Sequence, residues 1–162
     1  MKTNTKTKPR MLFEVSWEVC NKVGGIFTVL SSKAKQMQKH YKNSYCLIGP
    51  YFDEKSRNVF KEEPIPDLYK SIYSELKNIG IVLHFGSWII KGEPKVILID
   101  FKNFWHNNDN VKKQMWDSFG LDSLNSAYDY DEPVLWSWTV GTLIKKISDA
   151  HKEKNIVMHA HE

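Results

Sequence analysis

Apolar and polar positions along this chain switch between two rhythms. Met11 to Trp17, MLFEVSW, is a nearly continuous apolar run of strand length, the pattern of a buried strand. Ile26, Leu30, Ala34 and Met37 then recur at helical spacing while Lys33, Lys35 and Lys39 fall on other faces, which predicts an amphipathic helix. Ser44 to Ile48 returns to strand pattern and is closed by Gly49-Pro50. Strand, helix and strand together complete a βαβ unit, so the chain opens as an α/β protein.

The charged, proline-bearing stretch from Tyr51 to Pro66 predicts a loop with one irregular element. Leu68, Ile72, Leu76 and Ile79 follow helical spacing, and Asn78 to Gly80 supplies a stop. Ile81 to Ile90 and Val96 to Phe101 read as two strands, and the short Lys91-Gly92-Glu93-Pro94 turn between them predicts an antiparallel hairpin. Lys102 to Tyr130 is aromatic and polar, with a short helix expected around Val111 to Phe119. Asp131-Glu132-Pro133 resembles a helix N-terminus, with Leu135, Trp138, Leu143 and Ile147 lining the buried side of the helix it opens. A last strand begins at Ile156-Val157-Met158, and the sequence closes on His159-Ala160-His161-Glu162. Ligands of open α/β sheets gather just past the carboxyl ends of strands, so a sequence closing there is expected to be an incomplete domain.

A length of 162 residues suits one domain with a core, and 41% hydrophobic with 26% charged residues is a globular balance. The net charge of +4 draws on residues 1–10, MKTNTKTKPR, expected to form a disordered basic tail. That tail lacks a secretory h-region, and no run approaches the roughly 18 apolar residues of a membrane span. A soluble, cytoplasmic protein is expected, with Cys20 and Cys46 as buried free thiols. The tightest basic pairs, Lys112-Lys113 and Lys145-Lys146, read as solvated surface, which argues against a nucleic-acid partner.

Two stretches carry candidate chemistry. At Asn21-Lys22-Val23-Gly24-Gly25-Ile26 a strand passes into a helix through two glycines, where first-turn amides and the helix dipole can meet an anion and Lys22 adds charge. The same glycines equally suit a tight turn with close helix-to-sheet packing. In His159-Ala160-His161-Glu162 the two imidazoles share one face of a strand. They suit a polar ligand at the strand end, core packing, or a metal with Glu162 as base, though no third metal ligand is evident from spacing. The aromatics Phe101, Phe104, Trp105, Trp116, Tyr128, Tyr130, Trp136 and Trp138 are expected to be core, with one or two exposed, rather than a sugar-stacking surface.

The stretches LFEVSWEVCNKVGGIFTVLSSKAK, LIGPY, FGSWIIKGEPKVILIDF, MWD and HAHE, in this order from Leu12 to the end, resemble the N-terminal part of the eukaryotic-type glycogen synthases of glycosyltransferase family 3. The resemblance implies a GT-B enzyme with two Rossmann-like domains. Residues 11–162 would be part of the first, and the second would be absent. It implies transfer of glucose from UDP-glucose to the non-reducing end of an α-1,4-glucan, with retention and no metal or other cofactor, in a homo-oligomeric parent. Lys22 would approach the UDP phosphates, Gly24 and Gly25 would admit the donor, His161 would meet the donor sugar as catalytic residue, and His159 would support that strand end. The chain alone is then expected to be inactive. A non-catalytic sugar-nucleotide or glucan-binding module and a small metal hydrolase using His159, His161 and Glu162 are the alternatives.

Overall fold

A computed structural model of the protein describes residues 10–56, 58–152 and 155–161. Most of the expected basic tail and Glu162 lie outside the described residues. Strands β1 (Arg10–Val15), β2 (Tyr45–Pro50), β3 (Phe60–Glu62), β4 (Val82–Trp88), β5 (Lys95–Asp100) and β6 (Asn155–Ala160) form one sheet in the order β3-β4-β5-β2-β1-β6. Helices α1 (Gly25–Tyr41), α2 (Asp53–Ser56), α3 (Lys70–Asn78), α4 (Asn108–Phe119) and α5 (Tyr128–Ala150) connect them.

The first βαβ unit forms as its pattern dictates, with β1 parallel to β2 and α1 crossing between them. β5 and β6 add further parallel pairings, to β2 and β1. The predicted hairpin is present, β4 running antiparallel to β5. The chain thus builds outward from β1 to one side, then returns to place β6 on the other side of β1.

Both faces of the sheet are covered, which is why β2 and β5 read as continuous apolar runs. On one face Leu12, Leu47, Val96 and Leu98 pack under Leu30 of α1, a helix whose Ala34 is also fully buried, beside the fully buried Trp88. On the other, Phe13, Ile48, Ile97 and Ile99 meet Ile72 and Leu76 of α3 and Leu135, Val140, Leu143 and Ile147 of α5. The result is a doubly wound, Rossmann-like α/β sheet with an antiparallel edge.

Several expectations need correction. β3 lies inside the segment read as loop: only Phe60 is buried and Lys61 and Glu62 face solvent, so a three-residue polar edge strand shows no alternation. α5 starts at Tyr128, three residues before the expected cap, because Asp131 turns inward. Its carboxylate accepts from Ser126 Oγ at 2.6 Å, Asn108 Nδ2 at 2.8 Å and Lys112 Nζ at 2.9 Å. Lys112 is therefore buried at 4% exposure rather than part of a solvated basic pair. The aromatics are less buried than expected: of the eight, Phe101, Phe104 and Trp136 are core and Trp105 and Trp138 half-buried, while three rather than one or two are exposed, Trp116 on α4 and Tyr128 and Tyr130 in the first turn of α5. Both cysteines are free thiols as expected, Cys20 buried but Cys46 half-buried rather than buried, and burial of its sulfur pushes the Cys46 thiol up to about 12. Among the described residues no helix is long and apolar enough to cross a membrane.

One close approach sets the loop after β1. A Cβ on Gly49 would stand 2.7 Å from both Val19 Cβ and the Val19 carbonyl oxygen. Val19 is fully buried and cannot retreat. Gly49→Ala is expected to cost about 1–3 kcal/mol through overpacking. Urea denaturation should show a lowered midpoint with unchanged slope, and an unaltered midpoint would show that the loop is free to move.

Candidate functional site

In this sheet the strand order reverses between β1 and β6, and α1 leaves one face while α5 arrives from the other. Connections that part in this way leave a crevice at the carboxyl ends of the two strands, where doubly wound proteins bind ligands. The β1–α1 connection and His161 both lie there, since the His161 amide donates to the Val15 carbonyl at 2.8 Å.

The connection is a built loop. Ser16 Oγ accepts the Glu18 amide at 3.1 Å, the Asn21 side-chain amide donates to the Trp17 carbonyl at 3.0 Å, and Cys20 takes a left-handed conformation with φ of 56°. The Glu18 carboxylate then turns to the mouth of α1 and accepts the amides of Gly24 at 2.8 Å and Phe27 at 2.9 Å. The protein thus caps this helix with its own anion, satisfying donors that would otherwise be orphaned.

The two glycines have different surroundings. A Cβ on Gly24 would meet Glu18 Oε1 at 3.1 Å, so Gly24 makes room for the cap. Gly25 opens the helix, and a Cβ there would find nothing within 4 Å. Packing therefore does not require a glycine at position 25, and its open face is free for a ligand. Lys22 is exposed, with its ammonium 5.9 Å from the Phe27 ring centroid.

At the end of β6, His159 and His161 share a face as expected, with ring centroids 4.3 Å apart. They face Glu14, which is 1% exposed one residue before the end of β1. Glu14 Oε1 lies 2.5 Å from Lys33 Nζ, 3.2 Å from His161 Nε2 and 3.5 Å from His159 Nδ1, while Oε2 accepts the Tyr45 hydroxyl. Burial pushes the Glu14 carboxyl upward, but the hydrogen bonds from Lys33, Tyr45 and His161 outweigh it and hold the group below the usual carboxylate range. Burial and the Glu14 acceptor together push the Tyr45 phenol well up.

Sequence spacing showed no third metal ligand, yet Glu14 joins His159 and His161 with ligand atoms all within 4.8 Å of one another. The fit to a cation is poor, because the Lys33 ammonium already occupies the charge-balancing place at Glu14 Oε1. Beside the loop, Trp17, Glu18 and Val23 face Tyr128, Asp129 and Glu132 of α5 across a cleft of about 520 Å³. Aromatic faces with carboxylates suit polyol hydroxyls better than anions. A larger groove of about 760 Å³ between α4 and α5 is lined by chiefly apolar surface from groups such as Met115, Phe119 and Trp138, with Asp129, Thr142 and Lys145 also among its lining.

The sequence reading missed Glu14, Lys33, Tyr45 and Glu18 as parts of the site. A carboxylate inside the apolar run MLFEV was the available signal, because a buried charge requires partners. Glu14 and Asp131 are both held below their ordinary values, so as pH falls the unfolded chain binds protons first. Stability is expected to hold down to about pH 5 and fall below about pH 4, with a shallower acid limb in Glu14→Gln. Equal acid limbs for the two proteins in urea denaturation would contradict the assignment.

A family model described as Glycogen synthase matches residues 14–162. The liver glycogen (starch) synthase of Rattus norvegicus is 33% identical over 153 residues, which cover 94% of this chain and 22% of that protein. The glycogen (starch) synthase of Dictyostelium discoideum is 35% identical over 158 residues, 96% of this chain and 18% of the relative. Isoform 2 of Saccharomyces cerevisiae is 31% identical over 163 residues, 94% and 23%. The chain thus spans about a fifth of the length of these relatives. The family match begins at the buried carboxylate Glu14 and takes in the glycine junction and both imidazoles: the chain belongs to the glycogen synthase family.

Proposed function

We propose that this chain supplies one wall of the donor site of a GT-B glucosyltransferase that moves glucose from UDP-glucose to the non-reducing end of an α-1,4-glucan with retention. The observations that carry the reading are the unhindered Gly25 at the start of α1, on the connection that leaves β1, and the imidazole of His161 just past the end of β6, beside β1 where the sheet order reverses. Family membership supplies the glucan and the sugar donor as substrate classes.

In this reading the open backbone at Gly25 admits the diphosphate and sugar, and Lys22 swings from the loop toward the phosphates. Because Glu18 occupies the Gly24 and Phe27 amides, the first turn of α1 contributes less to anion binding than a bare helix mouth, and Lys22 carries more of it. His161 meets a glucose hydroxyl, and its main-chain carbonyl stands near the anomeric carbon as positive charge develops there. His159 supports the strand end. Transfer needs no metal, since Lys22 and further basic groups of the assembled site stabilise the leaving diphosphate. The setting is the cytoplasm, and the parent enzyme is a homo-oligomer acting on glycogen.

Gly25→Ala tests the open face directly. It should leave folding stability unchanged or slightly raised, because alanine is the better helix former, while weakening UDP-glucose binding by calorimetry. Lys22→Ala is expected to weaken binding by about 1.5–3 kcal/mol, the scale of a charged hydrogen bond. Unchanged affinity in both variants would overturn the reading. As one wall of the site, the purified 162-residue protein should transfer no glucose from UDP-glucose to glycogen, and measurable transfer would contradict the two-walled arrangement.

A further inference from the structure

We infer that Glu14 is a positioning residue for His161: it fixes the imidazole with Nε2 as donor toward the sheet, leaving Nδ1 as a hydrogen-bond acceptor directed away from the carboxylate. The orienting role arises from the chain's own geometry, and its use toward a sugar rests on the donor-site reading.

An ionised carboxylate only accepts hydrogen bonds, and His161 Nε2 lies 3.2 Å from Glu14 Oε1, so the proton of a neutral ring belongs on Nε2. The lone pair then resides on Nδ1. A group binding there must donate, which a sugar hydroxyl does and a phosphate oxygen does not. Glu14 is suited to hold the ring because it is itself held. It is 1% exposed in β1, tied to α1 through Lys33 at 2.5 Å and to β2 through the Tyr45 hydroxyl. Lys33 balances its charge, so the bond to His161 is free to set orientation. The His161 side chain is 14% exposed, enough for one edge to meet a ligand. His159 lies farther from the carboxylate, at 3.5 Å, and is 57% exposed, which leaves it a looser neighbour.

The test is imidazole nitrogen-15 NMR on the full 162-residue protein at about pH 8, where histidine is ordinarily neutral. His161 should carry its proton on Nε2, with a slowly exchanging Hε2 signal. Glu14→Leu should speed exchange of that proton by about tenfold or more, the loss of one hydrogen bond to a charged acceptor. Tyr45→Phe, which removes a different partner of the same carboxylate, should leave it within about twofold. A proton on Nδ1 in the unsubstituted protein, or equal exchange in Glu14→Leu, would overturn the inference. If Glu14→Leu fails to fold, Glu14→Gln replaces it: one amide oxygen shared among three donors should give partial loss of protection, and full retention would overturn the inference. Added UDP-glucose separates the two proposals. Retained Nε2 protonation with an unmoved Nδ1 resonance supports the orienting role of Glu14 while removing the donor-site reading.

Discussion

A carboxylate buried in a β-strand must be paired, because leaving it alone costs several kcal/mol, about the whole margin of a small domain. Glu14 imposes that constraint here. Its partners come from α1, from β2 and from the residue just past β6. One group therefore ties together the strand at the centre of the reversal, the helix that leaves it and the strand end beside it. The candidate chemistry stands where those three elements meet.

The rest of the architecture serves the same edge. Gly49 lets Val19 lie against β2, which sets the loop, and the Glu18 carboxylate closes the loop onto α1. On the far face, the buried Lys112–Asp131 pair fastens α4 to the start of α5, whose Tyr128, Asp129 and Glu132 form the other side of the cleft. Opposite charges are thus spent on holding the walls, while Lys22, Gly25 and one edge of His161 remain available. That division separates groups that build the site from groups that can meet a ligand.

Much of this was legible in the sequence wherever a segment had a single strong period. The β1-α1-β2 unit, the β4-β5 hairpin and α3 come directly from apolar spacing and turn residues. Legibility failed where a residue answered to a distant partner. Asp131 has the look of a helix cap and is a tertiary ligand of Lys112, 19 residues earlier in the chain. Lys112 looks like half of a surface pair and is buried. At the site, the glycine junction and the paired imidazoles were visible as motifs, but Glu18 as cap and Glu14 as the common partner of Lys33, Tyr45 and His161 depend on folding. Gly24 and Gly25 look equivalent in sequence, and only their surroundings distinguish them.

The central claim is that the β1/β6 crevice is where a sugar nucleotide binds. Backbone amide shift mapping of the labelled protein during titration with UDP-glucose tests it most directly. The account predicts the largest changes at Lys22, Gly24, Gly25 and His161, with little change around Met115 and Trp138 in the α4–α5 groove. Changes confined to that groove, or saturable binding that leaves the glycine junction and His161 unmoved, would contradict it.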